Sequence, residues 1–207
     1  TSGAMEGLNL CLQAVTRPGD LIAIGSPTFY AGLQASERLG LKVIEIPSHP
    51  REGVSLTALE DALRHHPIKA CLFMLNFANP TGSLVTDARK KELVSLLHRY
   101  QIPLIEDDVY AELYFGKQAP LCTKAEDRDG FVMHVSSFSK CLAPGYRLGW
   151  VAAGRYAGQI QRQKLSTSLA TTVPVQIALA DYLKHGAFEN HLRQLRRKLA
   201  EQEAGLV

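Results

Sequence analysis

Lys69-Ala70-Cys71-Leu72-Phe73-Met74-Leu75 runs straight into Asn76-Phe77-Ala78-Asn79-Pro80-Thr81-Gly82, and the reading of this stretch decides the fold. The first part is a short apolar run of the kind that makes a buried strand, and the second is polar, with a Pro-Thr-Gly turn signal. Upstream, Ala4 to Val15 reads as a helix with Leu8, Leu12 and Val15 on one face. The turn Arg17-Pro18-Gly19-Asp20 stops it and leads into a strand, Leu21 to Ile24. Phe29 to Leu39 reads as a helix ended by Gly40, Lys42 to Ile46 as a strand, and Leu56 to His66 as a helix with Thr57 as cap and Pro67 as terminator. Downstream, Thr86 to Tyr100 is an amphipathic helix, and Pro103 to Ile105 a strand running into Glu106-Asp107-Asp108. Phe131 to Val135 and Leu148 to Ala153 are two more strands. After Gly154 only helices follow: Tyr156 to Ser166, Val175 to Lys184 and Ala187 to Glu203. Alternating strands and helices are the mark of an α/β sheet covered by helices.

The bulk properties narrow the function. At 207 residues, 46% hydrophobic and 21% charged, the chain has enough apolar material for one sizeable core. A net charge of +3 is too small to imply nucleic-acid or acidic-membrane binding, and no apolar run reaches membrane-spanning length. Arg193, Arg196, Arg197 and Lys198 read as a solvated helix face rather than a DNA-binding stripe. Cys11, Cys71, Cys122 and Cys141 are widely spaced, with no CxxC pair and no nearby His in metal-ligand register, so no metal is expected. Cys11 and Cys71 read as core, and Cys141 as packing rather than a reactive thiol. Unpatterned cysteines fit a reducing cytoplasm. The chain opens Thr1-Ser2-Gly3 without a charged-then-apolar leader; it reads as starting inside a motif, and an excerpt of a longer protein is expected.

In open α/β sheets, ligands bind beyond the carboxyl ends of the strands. The residues following the strands here are Asn76 to Gly82, then Glu106-Asp107-Asp108-Val109-Tyr110, then Ser136-Ser137-Phe138-Ser139-Lys140, with Arg147 just before the next strand. Asn, Asp, Tyr, Ser, Lys and Arg therefore converge on one rim. His49, His134 and His191 attract no role, and Trp150 reads as core.

Taken in order, SGAMEGL, PTFY, NPTG, EDDVY, SSFSK and PGYRLGW resemble the fold-type I pyridoxal 5'-phosphate (PLP) enzymes of aminotransferase class I/II. The resemblance runs over essentially the whole chain. It implies a three-layer α/β fold, a mostly parallel sheet with helices on both faces, with residues 1–207 as the PLP-binding large domain. An N-terminal segment and a C-terminal small domain would lie outside it. It also implies a homodimer acting on a small amino acid or amine.

Residue by residue, the resemblance assigns Lys140 as the amine that holds the cofactor aldehyde as a Schiff base and then moves a proton. Asp107, three residues before a Tyr, would keep the ring nitrogen protonated, whereas Glu106 and Asp108 compete as acids exposed in a turn. Asn79 and Tyr110 would hold the phenolic oxygen. Gly3, Ala4 and Met5 open a helix whose amides would grip the phosphate, helped by Ser137, Ser139 and the planar fork of Arg147. Tyr30 would stack on the ring with Phe29 in the core, and an ordinary core Tyr30 is the alternative.

Two functions stay open at this stage. One is an amino acid–2-oxo acid transaminase. The other is a PLP- or amine-sensing effector domain, because the stretch from Ser136 to Arg197 resembles MocR-type regulators of the GntR family. Those join a winged helix-turn-helix to an aminotransferase-like domain, so DNA would be bound through an absent N-terminal domain and not by this segment. A PLP-dependent decarboxylase or acyl-transferring synthase usually departs from NPTG and this SSFSK spacing.

Overall fold

A computed structural model describes residues 1–205. Seven strands form one sheet in the order β3-β2-β1-β4-β5-β6-β7. They are β1 (Leu21–Ser26), β2 (Lys42–His49), β3 (Gly53–Val54), β4 (Ile68–Phe73), β5 (Leu104–Asp107), β6 (Val132–Ser137) and β7 (Gly149–Ala152). β2, β1, β4, β5 and β6 run parallel, and β3 and β7 lie antiparallel at the two edges. The helices are α1 (Ala4–Val15), α2 (Tyr30–Arg38), α3 (Leu56–His65), α4 (Asp87–Tyr100), α5 (Ala157–Thr167), α6 (Val173–Lys184) and α7 (Ala187–Ala204).

Side chains alternate along each strand, so the sheet has two apolar faces and each needs a cover. Cys71, Phe73, Leu104 and Val132 pack with Leu59, Leu93 and Leu97 of α3 and α4. Ala70, Leu72, Ile105 and Met133 pack on the opposite face with Leu8, Cys11 and Leu12 of α1 and Ile160 of α5. The same alternation continues past the apolar part of β5. It turns Glu106 toward the α4 face and Asp107 toward the α1 face, and in β6 it turns His134 toward α4. That parity sets up everything at the rim.

The expected elements form, with shifted ends. The acids do not follow β5: Glu106 and Asp107 belong to it, and Ser136 and Ser137 belong to β6. α3 is capped by Ser55, whose hydroxyl accepts from the Ala58 N–H, not by Thr57, which lies inside the helix. Trp150 is 38% exposed, with its ring tilted at 55° against Phe138 rather than buried. Cys11, Cys71 and Cys141 are buried, and burial pushes the Cys141 thiol up to about 11, which fits packing. On α7 the expected solvated face is only partial. Arg196 pairs with the Glu112 carboxylate at 2.8 Å and lies 3.8 Å over the Tyr114 ring.

Gly149 joins the edge of the sheet to the start of α1. A Cβ there would sit 2.7 Å from the Ser136 carbonyl oxygen and 2.9 Å from the Gly3 carbonyl carbon, so only glycine lets the two backbones touch. Its N–H donates to the Thr1 carbonyl at 2.9 Å. Among the described residues, no helix is long and apolar enough to cross a membrane.

Candidate functional site

The ends of β5 and β6, the start of α1 and the loop before β7 enclose a cavity of about 210 Å³. Of the residues singled out in the sequence, Ala4, Met5, Asp107, Tyr110, Ser137, Ser139, Lys140 and Arg147 line it. A larger cavity of about 480 Å³ lies elsewhere, lined by Leu142, Tyr146, Val175 and Leu179 among others, and offers no charged group. Chemistry, not size, marks the smaller one.

At the anion end, Gly3 is the N-cap of α1, with φ +94° and no side-chain cap, so the first amides of the helix have no intrahelical acceptor. Glu6 reaches back to accept the Ser2 N–H, and Lys164 and Ser168 of the α5 end hold the same carboxylate, which steadies the turn. Arg147, itself left-handed at φ +47°, lays its guanidinium against Gly3, where a Cβ would come within 2.5 Å of Nη2. Its Nη1 donates to Ser139 Oγ at 3.3 Å and its Nη2 to the Ser2 carbonyl at 3.1 Å. Two serine hydroxyls, a guanidinium and a helix start thus line one cavity, which is the donor set a phosphate dianion needs.

At the other end Asp107 is buried, and its Oδ1 has no hydrogen-bond partner among the described residues. Burial pushes its carboxyl up to about 7, and Asp108 adds to this, while the Val109 N–H and the charges of His134 and Lys140 oppose it. A buried, unpartnered acceptor is costly unless something outside the chain completes it. A protonated ring nitrogen would do so, and on this observation the residues fit the PLP expected from the sequence. Lys140 is solvent-exposed, with Nζ 5.6 Å from the Tyr110 ring centroid. Tyr110 Oη accepts from Asn79 Nδ2 at a long 3.5 Å, so Asn79 stands behind Tyr110 instead of lining the cavity.

Tyr30 does not join the site. It opens α2 with 63% of its surface exposed, and Phe29, the residue before it, lines the cavity instead. Phe29 is still extended, as the N-cap, and so presents its ring inward, while the first helical residue is rotated out. The Phe29 and Tyr30 rings lie 4.6 Å apart. The place at the cavity expected of Tyr30 is taken by its neighbour, and a helix start placed at Phe29 hid the difference.

Behind the cavity lies a group the sequence reading left aside. Lys90, 1% exposed, donates to Asn76 Oδ1 at 2.7 Å and to the Leu121 carbonyl at 2.6 Å. Asn76 Nδ2 donates to Asp108 Oδ1 at 3.0 Å, and His134 Nε2 lies 2.9 Å from Asp108 Oδ2. Glu106 accepts the N–H groups of Thr123 and Lys124. Neither Glu106 nor Asp108 is in an exposed turn. The signal for Lys90 was present, because Lys90, Leu93 and Leu97 recur at the spacing of one buried helix face. The donor atoms of Glu106, Cys122 and His134 also lie within 4.8 Å of one another, so folding does bring a His beside a Cys. Both Glu106 oxygens are taken by backbone N–H groups and His134 Nε2 by Asp108, so hydrogen bonding accounts for the grouping.

Comparison with known proteins gives a consistent picture. Residues 1–207 match the family described as Aminotransferase class I and II. The HTH-type transcriptional regulator YdcR of Escherichia coli is 54% identical over 203 residues, covering 98% of this chain and 43% of that protein. Aromatic-amino-acid aminotransferase 1 of Thermococcus litoralis is 31% identical over 201 residues, covering 94% of this chain and 48% of that protein. Among solved structures, the kynurenine aminotransferase of Pyrococcus horikoshii in complex with PMP is 32% identical with a TM-score of 0.88, over 95% of this chain and 50% of its own. The chain therefore spans about half the length of the proteins it matches.

Proposed function

The chain belongs to the aminotransferase class I and II family, and from that premise we propose that it binds an amino acid or amine at PLP held on Lys140 and transfers the amino group to and from a 2-oxo acid. Its fold is the mostly parallel α/β sheet of the PLP-dependent transferases, and its cofactor is PLP. The observation that carries the reading is the shared cavity of Lys140, Asp107, Tyr110, Ser139 and Arg147.

When bound, the cofactor supplies an aldehyde and a protonated ring that takes up electrons from the substrate's α-carbon. Lys140 would hold the cofactor through its amine, and the same amine, when free, would carry a proton at the substrate's α-carbon. Asp107 keeps the ring nitrogen protonated. Tyr110, backed by Asn79, holds the phenolic oxygen, and Phe29 takes the ring-packing place expected of Tyr30. The amides of Ala4 and Met5 with Ser137, Ser139 and Arg147 hold the phosphate, and Gly3 lets Arg147 approach. Residues 1–207 act as the large domain of a longer chain, which the half-length match to relatives supports, and that chain forms a homodimer in the cytoplasm, where four free cysteines are at home.

A second reading has its own support. The 54% identity to a protein named as an HTH-type transcriptional regulator favours an effector domain of the GntR/MocR type, which senses PLP or an amine with little turnover and reaches DNA through another domain. One experiment addresses both. The protein is loaded with PLP, reduced with borohydride and mapped by mass spectrometry, then mixed unreduced with a panel of amino acids. Label on Lys140, absent from Lys140→Ala, together with release of an oxo acid supports the transaminase. Label without oxo acid across the panel supports the sensor. Label persisting in Lys140→Ala overturns both.

A further inference from the structure

The strand end that offers Asp107 carries three successive carboxylates, Glu106, Asp107 and Asp108, with 0%, 6% and 3% of their surfaces exposed. Burying one carboxylate is costly, and burying three in a row demands compensation that an apolar strand end would not need. The compensation is arranged on one side only. Asp108 is gripped at four points: Asn76 and His134 on its carboxylate, Ser136 Oγ on its carbonyl at 2.9 Å, and its own N–H on the Val135 carbonyl at 2.8 Å. Asn76 is in turn held by the buried ammonium of Lys90. Asp107, the middle acid, receives none of these side-chain contacts.

Resting on the reading of the cavity as a PLP site, we propose that His134 is a positioning residue for the cofactor ring. Clamped on Asp108, it fixes the turn that aims Asp107 into the cavity, and its positive charge favours the ionised Asp107 that the ring nitrogen requires. Glu106 is its cross-strand partner in the β5–β6 register. The contact with an ionised Asp108 requires a proton on Nε2, since a carboxylate only accepts. The charged and titratable groups around His134 are Glu106, Asp107 and Asp108 from β5 and its end, Lys90 of α4 acting through Asn76, and Cys122 and Lys124 from the segment before β6. Its β7 neighbour, Ala152, carries no charge. Burial works against the imidazolium, but the Asp108 hydrogen bond and the three carboxylates outweigh it and raise the His134 pKa. A purely structural clamp would serve as well with a neutral donor, and this separates the alternatives.

The test is a double-mutant cycle on PLP affinity in the protein, measured by equilibrium dialysis, with His134→Gln and Asp107→Asn alone and together. Gln keeps a donor toward Asp108 and removes the charge. The expected result is affinity weakened about tenfold by His134→Gln in the wild-type background and unchanged in the Asp107→Asn background. In the apoprotein, the His134 imidazole followed by NMR should titrate above the ordinary histidine value, and its midpoint should fall in Asp107→Asn. Should circular dichroism show His134→Gln unfolded, the NMR titration carries the test: a His134 midpoint at or below the ordinary histidine value, or one unmoved in Asp107→Asn, overturns the inference. Equal weakening in both backgrounds, or none in the wild-type background, overturns the inference and leaves the PLP site standing. A wild-type protein that retains no PLP overturns the site reading and this inference with it.

Discussion

Glu106 and Asp108 face α4, Asp107 faces α1, and these neighbours on one strand end are treated in opposite ways. On the α4 side every carboxylate oxygen of Glu106 and Asp108 has a donor, supplied by backbone, amide or imidazole. On the α1 side Asp107 Oδ1 has none among the described residues, and Lys140, whose charge acts on it from the cavity, is solvent-exposed. Both sides carry charge, so charge alone does not mark a binding site. What separates them is saturation: a polar cluster that completes itself is structure, and one left open is built for something else to complete.

The sharpest way to break this contrast is to unsaturate the closed side. Lys90→Met strands Asn76 Oδ1, takes one of two donors from the Leu121 carbonyl and removes the buried cation that holds Asn76 against Asp108. We expect a loss of about 3–5 kcal/mol in urea unfolding, with the denaturant slope unchanged. On the open side the opposite sign is expected. The folded-state pKa of Asp107 is raised to about 7 from 3.8, so the folded apoprotein binds that proton more tightly than the unfolded chain does. The resulting stability is present below about pH 4 and drains away as pH rises through about 7. Asp107→Asn removes this dependence, and at pH 8 the variant apoprotein should be more stable than wild type by roughly 3 kcal/mol while holding PLP measurably more weakly. Wild-type and variant unfolding curves measured from pH 4 to pH 8 test it, and parallel curves would sink the idea that Asp107 is held at a cost for its ligand.

A smaller effect separates two adjacent aromatics. Phe29→Ala should weaken PLP binding by about 1 kcal/mol, and Tyr30→Ala should leave it unchanged; dialysis with both variants decides, and the reverse order restores Tyr30 to the ring. The contrast recurs in miniature on α7. Arg196→Ala loses a carboxylate and a ring contact and should cost about 1–2 kcal/mol in thermal unfolding. Arg197→Ala, whose partner Glu201 is as exposed as itself, should change stability by less than about 0.5 kcal/mol.

Much of this was legible beforehand. α1 runs over the twelve residues expected, because a nearly all-apolar helix between a turn and a glycine leaves little choice. Eight proposed site residues meet in one cavity, since the ends of β5 and β6, the segments that follow them and the start of α1 share one rim of the sheet. What escaped depended on direction rather than composition. Tyr30 and Phe29 differ by one backbone step at a helix start, and a shift of one residue in that boundary exchanges inside for outside. Asp108 and His134 look like a surface acid and a spare histidine until strand parity turns them toward Lys90. Trp150 reads as core by its chemistry, but it sits on the last strand of the sheet, where one side has little left to cover it.

The contact of Gly149 with Thr1 and Gly3, together with Arg147 against the Ser2 carbonyl, has a consequence for the order of assembly. The two halves of the phosphate grip come from positions roughly 145 residues apart, so neither is complete until nearly the whole sheet has been laid down between them. A growing chain leaving the ribosome would hold its helix start ready long before its arginine emerged. Cofactor capture should therefore come last, and the vitamin would reward a finished fold instead of guiding an unfinished one.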